Sequence, residues 1–538
     1  MAISTKVHKV FFVLVLAGIM ATWMLPSAHA AKRLIFSQPN DGTTLDNAKG
    51  NSVPDQNVAQ LMYEGLVRIK NKKLVPGMAE KWELSPDGTV YTFTLRPSKW
   101  SDGKDLTAQD FEYAFRRLMD PKTASPYAFI GEPIKNGVAV EQGKMKPEEL
   151  GVKALDNRTF QVQLEGPSDY FLSSLALCNF APMRKDVVEQ FGADFAAKAD
   201  HLIFNGPYVL AEYIPQNKKL FKKNPNYWNA KEVKLDEIEV LVVADLNTAL
   251  QMFQTGALDF AEVPSTLYPD YKDKAVTYVY SVEWMGFNTR KKENKPWLAN
   301  PDFIKAVGHS IDRELYTQLS SRGLNLPAQR YVMPGMMGIK STYGADFSLN
   351  YYKPKADKAK AQEYLKKAMT AMGIKDPAQI EISYQTISND ADKRRQAEVL
   401  QNMITKTLGI KFNITQVEYK QHWASLKPGD YETAFMGWVP DYDSPFSYLD
   451  IWTTNSYTAF RTGFSDATYD GLIKKAIHSP ARNESLKNYF EAEKYLLSVA
   501  PMVPLHLRQK AQLVNPKVKG LNFYFIGFDI DAAFADKI

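Results

Sequence analysis

Cysteine is almost missing from this chain: one residue, Cys178, in 538. A single cysteine excludes an intramolecular disulfide framework and any cysteine-rich zinc site. Histidine is sparse too, with seven residues and no HExxH or HxxH spacing. Basic and acidic side chains nearly cancel, 66 against 60, and no basic stripe gathers anywhere. That removes the electrostatic footprint of a nucleic-acid binder. GxxxxGK[ST] and GxGxxG are both absent, so the common nucleotide-binding signatures are missing. There is no low-complexity tract, no long Gly/Ser linker and no repeat of solenoid period. Beyond residue 30 no apolar run approaches the ~20 residues of a membrane span. What the chain has in quantity is aromatic: 28 Tyr, 29 Phe and 9 Trp. With 45% apolar and 23% charged residues it is of ordinary globular composition. Its length is enough for three or four domains at about 150 residues each.

The first thirty residues read as an address. Lys6 and Lys9 precede a nearly unbroken apolar run from Val10 to Leu25, which Pro26 breaks before Ala28-His29-Ala30. A positive start, a short apolar stretch and small residues before a cleavage point make a secretory signal peptide. We expect 1–30 to be removed after Ala30. No cysteine follows to carry a lipid anchor, and a soluble exported protein is retained only by a second membrane. The expected location is the periplasm.

The remainder reads as a continuous mixed α and β chain. Tyr91-Thr-Phe-Thr-Leu95 alternates as a strand after the turn signal Ser85-Pro-Asp-Gly88. Thr107 with Asp110 opens a helix that buries Phe111, Ala114, Phe115 and Leu118, and Asp120-Pro121 stops it. Thr159 to Leu164, Ile238 to Val243, Thr277 to Phe287 and Lys411 to Val417 read as strands. Lys355 to Met369, Asp392 to Leu408 and Glu484 to Val499 read as amphipathic helices. Most aromatics are expected in the core. A second concentration falls in a loop-like segment, Gly437-Trp-Val-Pro-Asp-Tyr-Asp-Ser-Pro445, followed by Tyr448, Trp452 and Tyr457. Turn-forming residues beside large rings point to a ligand surface.

Catalytic groupings are scarce. Gly308-His-Ser-Ile-Asp312 lacks the second glycine of a nucleophile elbow. Ser101-Asp-Gly-Lys104 matches S-x-x-K, and Arg461-Thr-Gly463 is close to K-T-G, but Ser101 lies in an Asp-Gly turn instead of at a helix start. Asp441 and Asp443 are two apart without the glycine and glutamate of an EF-hand loop. We expect no catalytic residue, no metal site and no cofactor.

Several stretches together resemble the extracellular solute-binding proteins of family 5, the peptide/nickel class of ABC importers. They are Leu61-Met-Tyr-Glu-Gly-Leu-Val67, Pro76-Gly-Met-Ala-Glu-Lys-Trp82, Asp87 to Arg96, Trp100-Ser-Asp-Gly103, Asn205-Gly-Pro-Tyr208, Asn224-Pro-Asn-Tyr-Trp228 and Gly437-Trp438 with Asp441-Tyr442. They occur in the family's order and span nearly the whole chain after residue 30. The resemblance implies an α/β fold of two lobes, the periplasmic-binding-protein type II-like fold of the large peptide-binding cluster. Two crossing strands and an extra α+β domain complete it. Carried over, one lobe combines 31–63, 190–276 and 508–538, the extra domain is 64–189, and the second lobe is 277–507. The implied function is capture of oligopeptides for delivery to an ABC importer permease, by a monomer that closes like a trap.

Within that class the chain looks most like oligopeptide-binding proteins. Asp120-Pro-Lys-Thr-Ala-Ser-Pro-Tyr-Ala128 matches a segment whose ligand-contacting tyrosine falls on Tyr127, and the aspartate that meets the peptide's α-ammonium falls on Asp441. By the same carry-over, the strand edges that pair with peptide backbone are Asn51 to Val53 and Gly437 to Val439. Trp284, Tyr419 and Trp438 are expected as pocket walls. The chain departs from the family twice. Val439 and Ser281 stand where many relatives have a disulfide. Phe435 and Leu426 stand where some have arginines for the peptide carboxylate, leaving Lys427 or Lys393 as substitutes. Two alternatives remain: the same fold with another ligand (dipeptide, murein peptide, haem, nickel chelate or sugar), or an exported serine hydrolase using Ser101.

Overall fold

The computed structural model describes residues 31–538 apart from 72, 455, 480 and 500. The segment read as a signal peptide lies outside the described residues. Period-two alternation builds a four-stranded sheet at the N-terminus, in the order Arg33–Gln38, Glu237–Val242, Lys218–Lys223, Tyr208–Ile214. The first pair is parallel and the others antiparallel. Its inward side chains, among them Leu34, Phe36, Phe221 and Ile238, form one core.

A second sheet runs Ala79–Leu84, Val90–Leu95, Thr159–Gln163, Val152–Ala154, antiparallel throughout. Helix Ala108–Met119 packs on it, and it starts where the sequence signals. Thr107 N donates to Asp110 Oδ2 at 2.9 Å, closing a capping box. Phe111 and Phe115 then meet Phe160 with ring centres 5.8 and 5.2 Å apart.

The third sheet has seven strands among the described residues. Its main path runs Phe260–Glu262, Met502–Val514, Val276–Phe287, Thr433–Trp438, Glu381–Ile387, Lys411–Val417. Two strands are long, Val276–Phe287 and Met502–Val514, and they pair antiparallel along most of their length. Residues Lys32–Ile538 pack as one unit. Among the described residues no helix is long and apolar enough to cross a membrane.

The stretch Asn205-Gly206 is explained by packing. Asn205 Nδ2 donates to Glu64 O at 2.8 Å, and Glu64 N donates to Asn205 Oδ1 at 3.2 Å. Gly206 N donates to Met62 O at 2.9 Å. A Cβ on Gly206 would sit 2.5 Å from Met62 C and Tyr63 N, both backbone atoms. We expect Gly206→Ala to cost about 1–3 kcal/mol, as overpacking does. The check is the urea midpoint; an unchanged midpoint would mean that the 205–208 turn shifts freely.

Cys178 is buried, and Gln60 Nε2 donates to its sulfur at 3.2 Å. Burial pushes its thiol up to about 12.

Candidate ligand-binding site

Two segments far apart in sequence meet at one hydrogen bond. The first is 120–127. Asp120 accepts from Lys122 N at 2.9 Å, Pro121–Thr123 makes one 3-10 turn, and Ala124 turns back at φ 51°. Ser125 Oγ ties this turn to Ala48 O at 2.6 Å and accepts from Tyr127 N at 3.1 Å. The second segment follows strand Thr433–Trp438. Pro440 O accepts from Gly527 N at 2.8 Å, and Asp441 N donates to Ser447 Oγ at 2.9 Å. So held, Tyr127 Oη donates to Asp441 Oδ1 at 2.8 Å. Residues 169 and 170 make further contacts with the C-terminal part of the chain. Tyr170 stacks on Tyr442 and Phe446 at 4.9 and 4.5 Å, and Tyr489 Oη donates to Asp169 at 3.0 Å.

Asp441 is 6% exposed, and among the described residues no Lys, Arg or His pairs with it. Burial pushes its carboxyl up to about 7, and the Tyr127 hydrogen bond offsets only part of that. A buried carboxylate without a cation is a costly arrangement. It is resolved by protonation or by a positively charged partner.

Asp441 lies on the wall of a cavity of about 360 Å³. Asn51, Ser52 and Val53 line one side, Gly437, Trp438 and Val439 another, and Tyr127 a third. Tyr419, Trp423 and Tyr457 give it an aromatic flank, and Gly527 completes it. Gly527 sits at φ 62° in the tight turn between Asn522–Ile526 and Phe528–Asp531. A Cβ there would lie 2.5 Å from Leu177 Cδ2 and 3.3 Å from Asp441 O, so a side chain would push on the loop that holds Asp441.

Residues 73–460 match the family model described as "Bacterial extracellular solute-binding proteins, family 5 Middle". The chain belongs to this family. It is 31% identical to the dipeptide-binding protein DppE of Bacillus subtilis over 94% of this chain and 92% of that one. It is 28% identical to the periplasmic oligopeptide-binding protein OppA of Salmonella typhimurium, over 94% of this chain and 95% of that one. The solved structure of Listeria monocytogenes OppA bound to peptide superposes with a TM-score of 0.79. That comparison covers 94% of this chain and 99% of that one at 28% identity. The fold is therefore the mixed α/β, two-lobed type II-like fold of OppA-type binding proteins, as the sequence motifs imply.

Against the expectations from the sequence and from the family resemblance, the structure makes four corrections. Asn51 to Val53 is not a strand. Ser52 is the N-cap of helix Val53–Met62 at φ −119°, with a capping box to Asp55. Asp55 also accepts Asn51 N at 3.2 Å, so that N–H is already used. Trp284 is no pocket wall. It is 1% exposed on the central strand and packs edge-on against Tyr331 at 5.3 Å. Tyr448 and Trp452 are equally buried, in the same core; of the rings after the Gly-Trp pair only Tyr457 reaches the cavity. Lys393 is buried against Glu283, with Nζ 3.8 Å from the Phe435 ring centre, and neither Lys393 nor Lys427 is among the cavity-lining residues.

Sequence reasoning missed Trp423 and Gly527, and it placed Ser52, within Asn51 to Val53, on a strand edge where the structure has a helix cap. Two of the three had a signal. Ser52-Val-Pro-Asp55 fits the capping-box pattern, and Trp423 stands four residues after Tyr419 on helix Tyr419–Leu426, the spacing that shares a face. Gly527 had none. The rival Ser101 is engaged by backbone, its Oγ accepting Phe204 N at 3.1 Å. Lys104 pairs with Asp186 at 3.3 Å. No group of three or more metal-ligating side chains gathers among the described residues.

Proposed function

We propose that this protein binds oligopeptides by their free α-ammonium group and passes them to the permease of an ABC importer. We read it as a periplasmic monomer, exported with 1–30 removed, that closes over its ligand. The observation carrying this reading is Asp441, a buried carboxylate with no cation, hydrogen-bonded by Tyr127 on a cavity wall. An ammonium arriving there completes an ion pair and keeps the carboxylate charged. Strand Thr433–Trp438 supports backbone recognition. Its outer edge pairs with Glu381–Ile387 only at Thr433 and Ala434, leaving the edge beyond without a strand partner. We assign Asn51, Val53, Gly437, Trp438, Val439 and Tyr419 as contacts for peptide backbone and side chains. The lobe division 31–63 with 190–276 and 508–538, 64–189, and 277–507 is our reading too. In its favour, the two four-stranded sheets each fall within one of these parts.

A binding role is favoured over hydrolysis because Lys104 Nζ is held by Asp186, leaving Ser101 without a base on that lysine. The test is calorimetry with trialanine and N-acetyl-trialanine. Acetylation is expected to weaken binding about a hundredfold or more, since it removes one partner of a buried ion pair. Affinity for the free peptide is expected to peak between pH 7 and 8. Below that Asp441, at about 7, takes up a proton, and above it the α-amine, near ~8, loses one. Equal binding of the two peptides would sink the amine assignment.

A further inference from the structure

The cavity lining contains no lysine or arginine among the described residues, yet one guanidinium packs directly behind it. Arg461 lies on helix Tyr457–Thr462, its Cζ 3.3 Å from the centre of the Tyr457 ring. The other neighbour of that ring is Trp438, at 5.4 Å. Tyr457 and Trp438 both line the cavity. Arg461 Nη1 donates to Tyr457 O at 2.8 Å, while its Nε is buried without a partner. No carboxylate pairs with Arg461 among the described residues; burial lowers its pKa, and only Tyr457 and Tyr431 act against that.

The surroundings supply no anion either. Arg290 approaches the same corner, but it donates to the carbonyls of Leu426, Lys427 and Arg461, the ends of two helices. Tyr431 Oη also donates to Arg461 O, at 3.0 Å. The free Nε–Nη2 edge of a guanidinium is the edge that grips a carboxylate with two parallel hydrogen bonds. The Tyr457 ring touches the guanidinium and lines the cavity, and at 46% exposed it is not locked into the core.

We infer that Arg461 receives the carboxylate of the ligand, so that the cavity reads a zwitterion, with Asp441 taking the ammonium and Arg461 the anion. This deepens the peptide reading above and rests on it. Asp441 is a buried charge and Arg461 a partly buried one whose Nε is fully buried, neither with a protein counter-ion among the described residues, and a peptide with free ends supplies both.

The test compares tri-, tetra- and pentaalanine with their C-terminal amides by calorimetry, on the wild type, Arg461→Gln and Arg461→Lys. In the wild type, amidation is expected to weaken the best-bound length about tenfold to a hundredfold, the worth of a charge-assisted hydrogen-bond pair. In Arg461→Gln the acid and the amide are expected to bind alike, while Arg461→Lys keeps part of the difference. A purely structural role for Arg461 would lower both affinities together and leave their ratio intact. The inference is overturned if the wild type does not distinguish acid from amide, or if Arg461→Gln distinguishes them as well as the wild type. If N-acetylation still weakens binding in that case, the peptide reading stands and only this assignment falls. If no alanine peptide binds in either form, the peptide reading fails and takes the assignment with it.

Discussion

Asp441→Asn is expected to lose free-amine peptide binding and, at the same time, to make the unliganded protein more stable at pH 8. The two effects have one cause. In the free protein the carboxyl is held at about 7 by burial, against 3.8 for an ordinary aspartate. A folded-state value above the unfolded one means that folding favours the protonated form. The penalty is absent below pH ~4, grows as pH rises toward 7, and is then constant. Its size is on the order of 4 kcal/mol. Asparagine keeps the shape and an acceptor for Tyr127 Oη but carries no charge. Its unfolding free energy should therefore lack the fall that the wild type shows between pH 4 and 7. Binding moves the other way. Without the carboxylate, the peptide's ammonium would enter a buried site unpaired, at a cost of about 3–5 kcal/mol, or roughly a hundredfold to several thousandfold in affinity. Denaturation curves at pH 5 and pH 8 together with calorimetry check both halves. Parallel pH profiles for variant and wild type, or unchanged affinity, would refute the argument.

Glu283→Ala is expected to be the most destabilising single change near the site without touching the ligand. Glu283 lies opposite Gly437 in the central sheet, 2% exposed. Lys393 Nζ pairs with its Oε2, and His506 Nε2 lies 3.0 Å from the same atom. Burial alone would raise the carboxyl, but Lys393, His506 and Arg508 outweigh it and hold it well below the usual carboxylate range. Truncation strands the buried Lys393 ammonium, and breaking such a pair costs about 3–5 kcal/mol. A folded value below the unfolded one puts this contribution in place above pH ~4.5, and it is lost as pH falls below that, opposite in sign to Asp441. The double variant Glu283→Leu with Lys393→Met is expected to recover most of the loss, because the uncompensated charge goes with it. Urea midpoints read both; a Glu283→Ala midpoint equal to wild type would show that the cluster is energetically neutral.

What was readable in the sequence was local or positional. Thr107 with Asp110 announced a helix start because a capping box is complete within four residues. Tyr91 to Leu95 announced a strand because alternation is a property of neighbours. The motif order around Tyr127, Gly437 and Asp441 carried those residues onto one cavity. The failures concern what lies opposite a side chain. Trp284 and Trp438 are the same residue type on paired strands, but one faces the ring-filled core with Tyr331 and Trp452 and the other faces the cavity. No sequence pattern in the chain separates them. Lys393 looked free because Glu283, 110 residues away, is invisible as its partner. Arg461 showed the reverse: its sequence neighbours gave no sign that its Nε would be buried with no acid beside it.

The buried state of Cys178 has a practical side. Its thiol is the only one in the chain, inaccessible and pushed up to about 12, so maleimides at neutral pH have no native target. A cysteine introduced at Phe460, 48% exposed and three residues from Tyr457, would be the sole labelling point. An environment-sensitive dye there would turn the unmodified scaffold into an optical reporter of ligand entry, with no native residue to remove first.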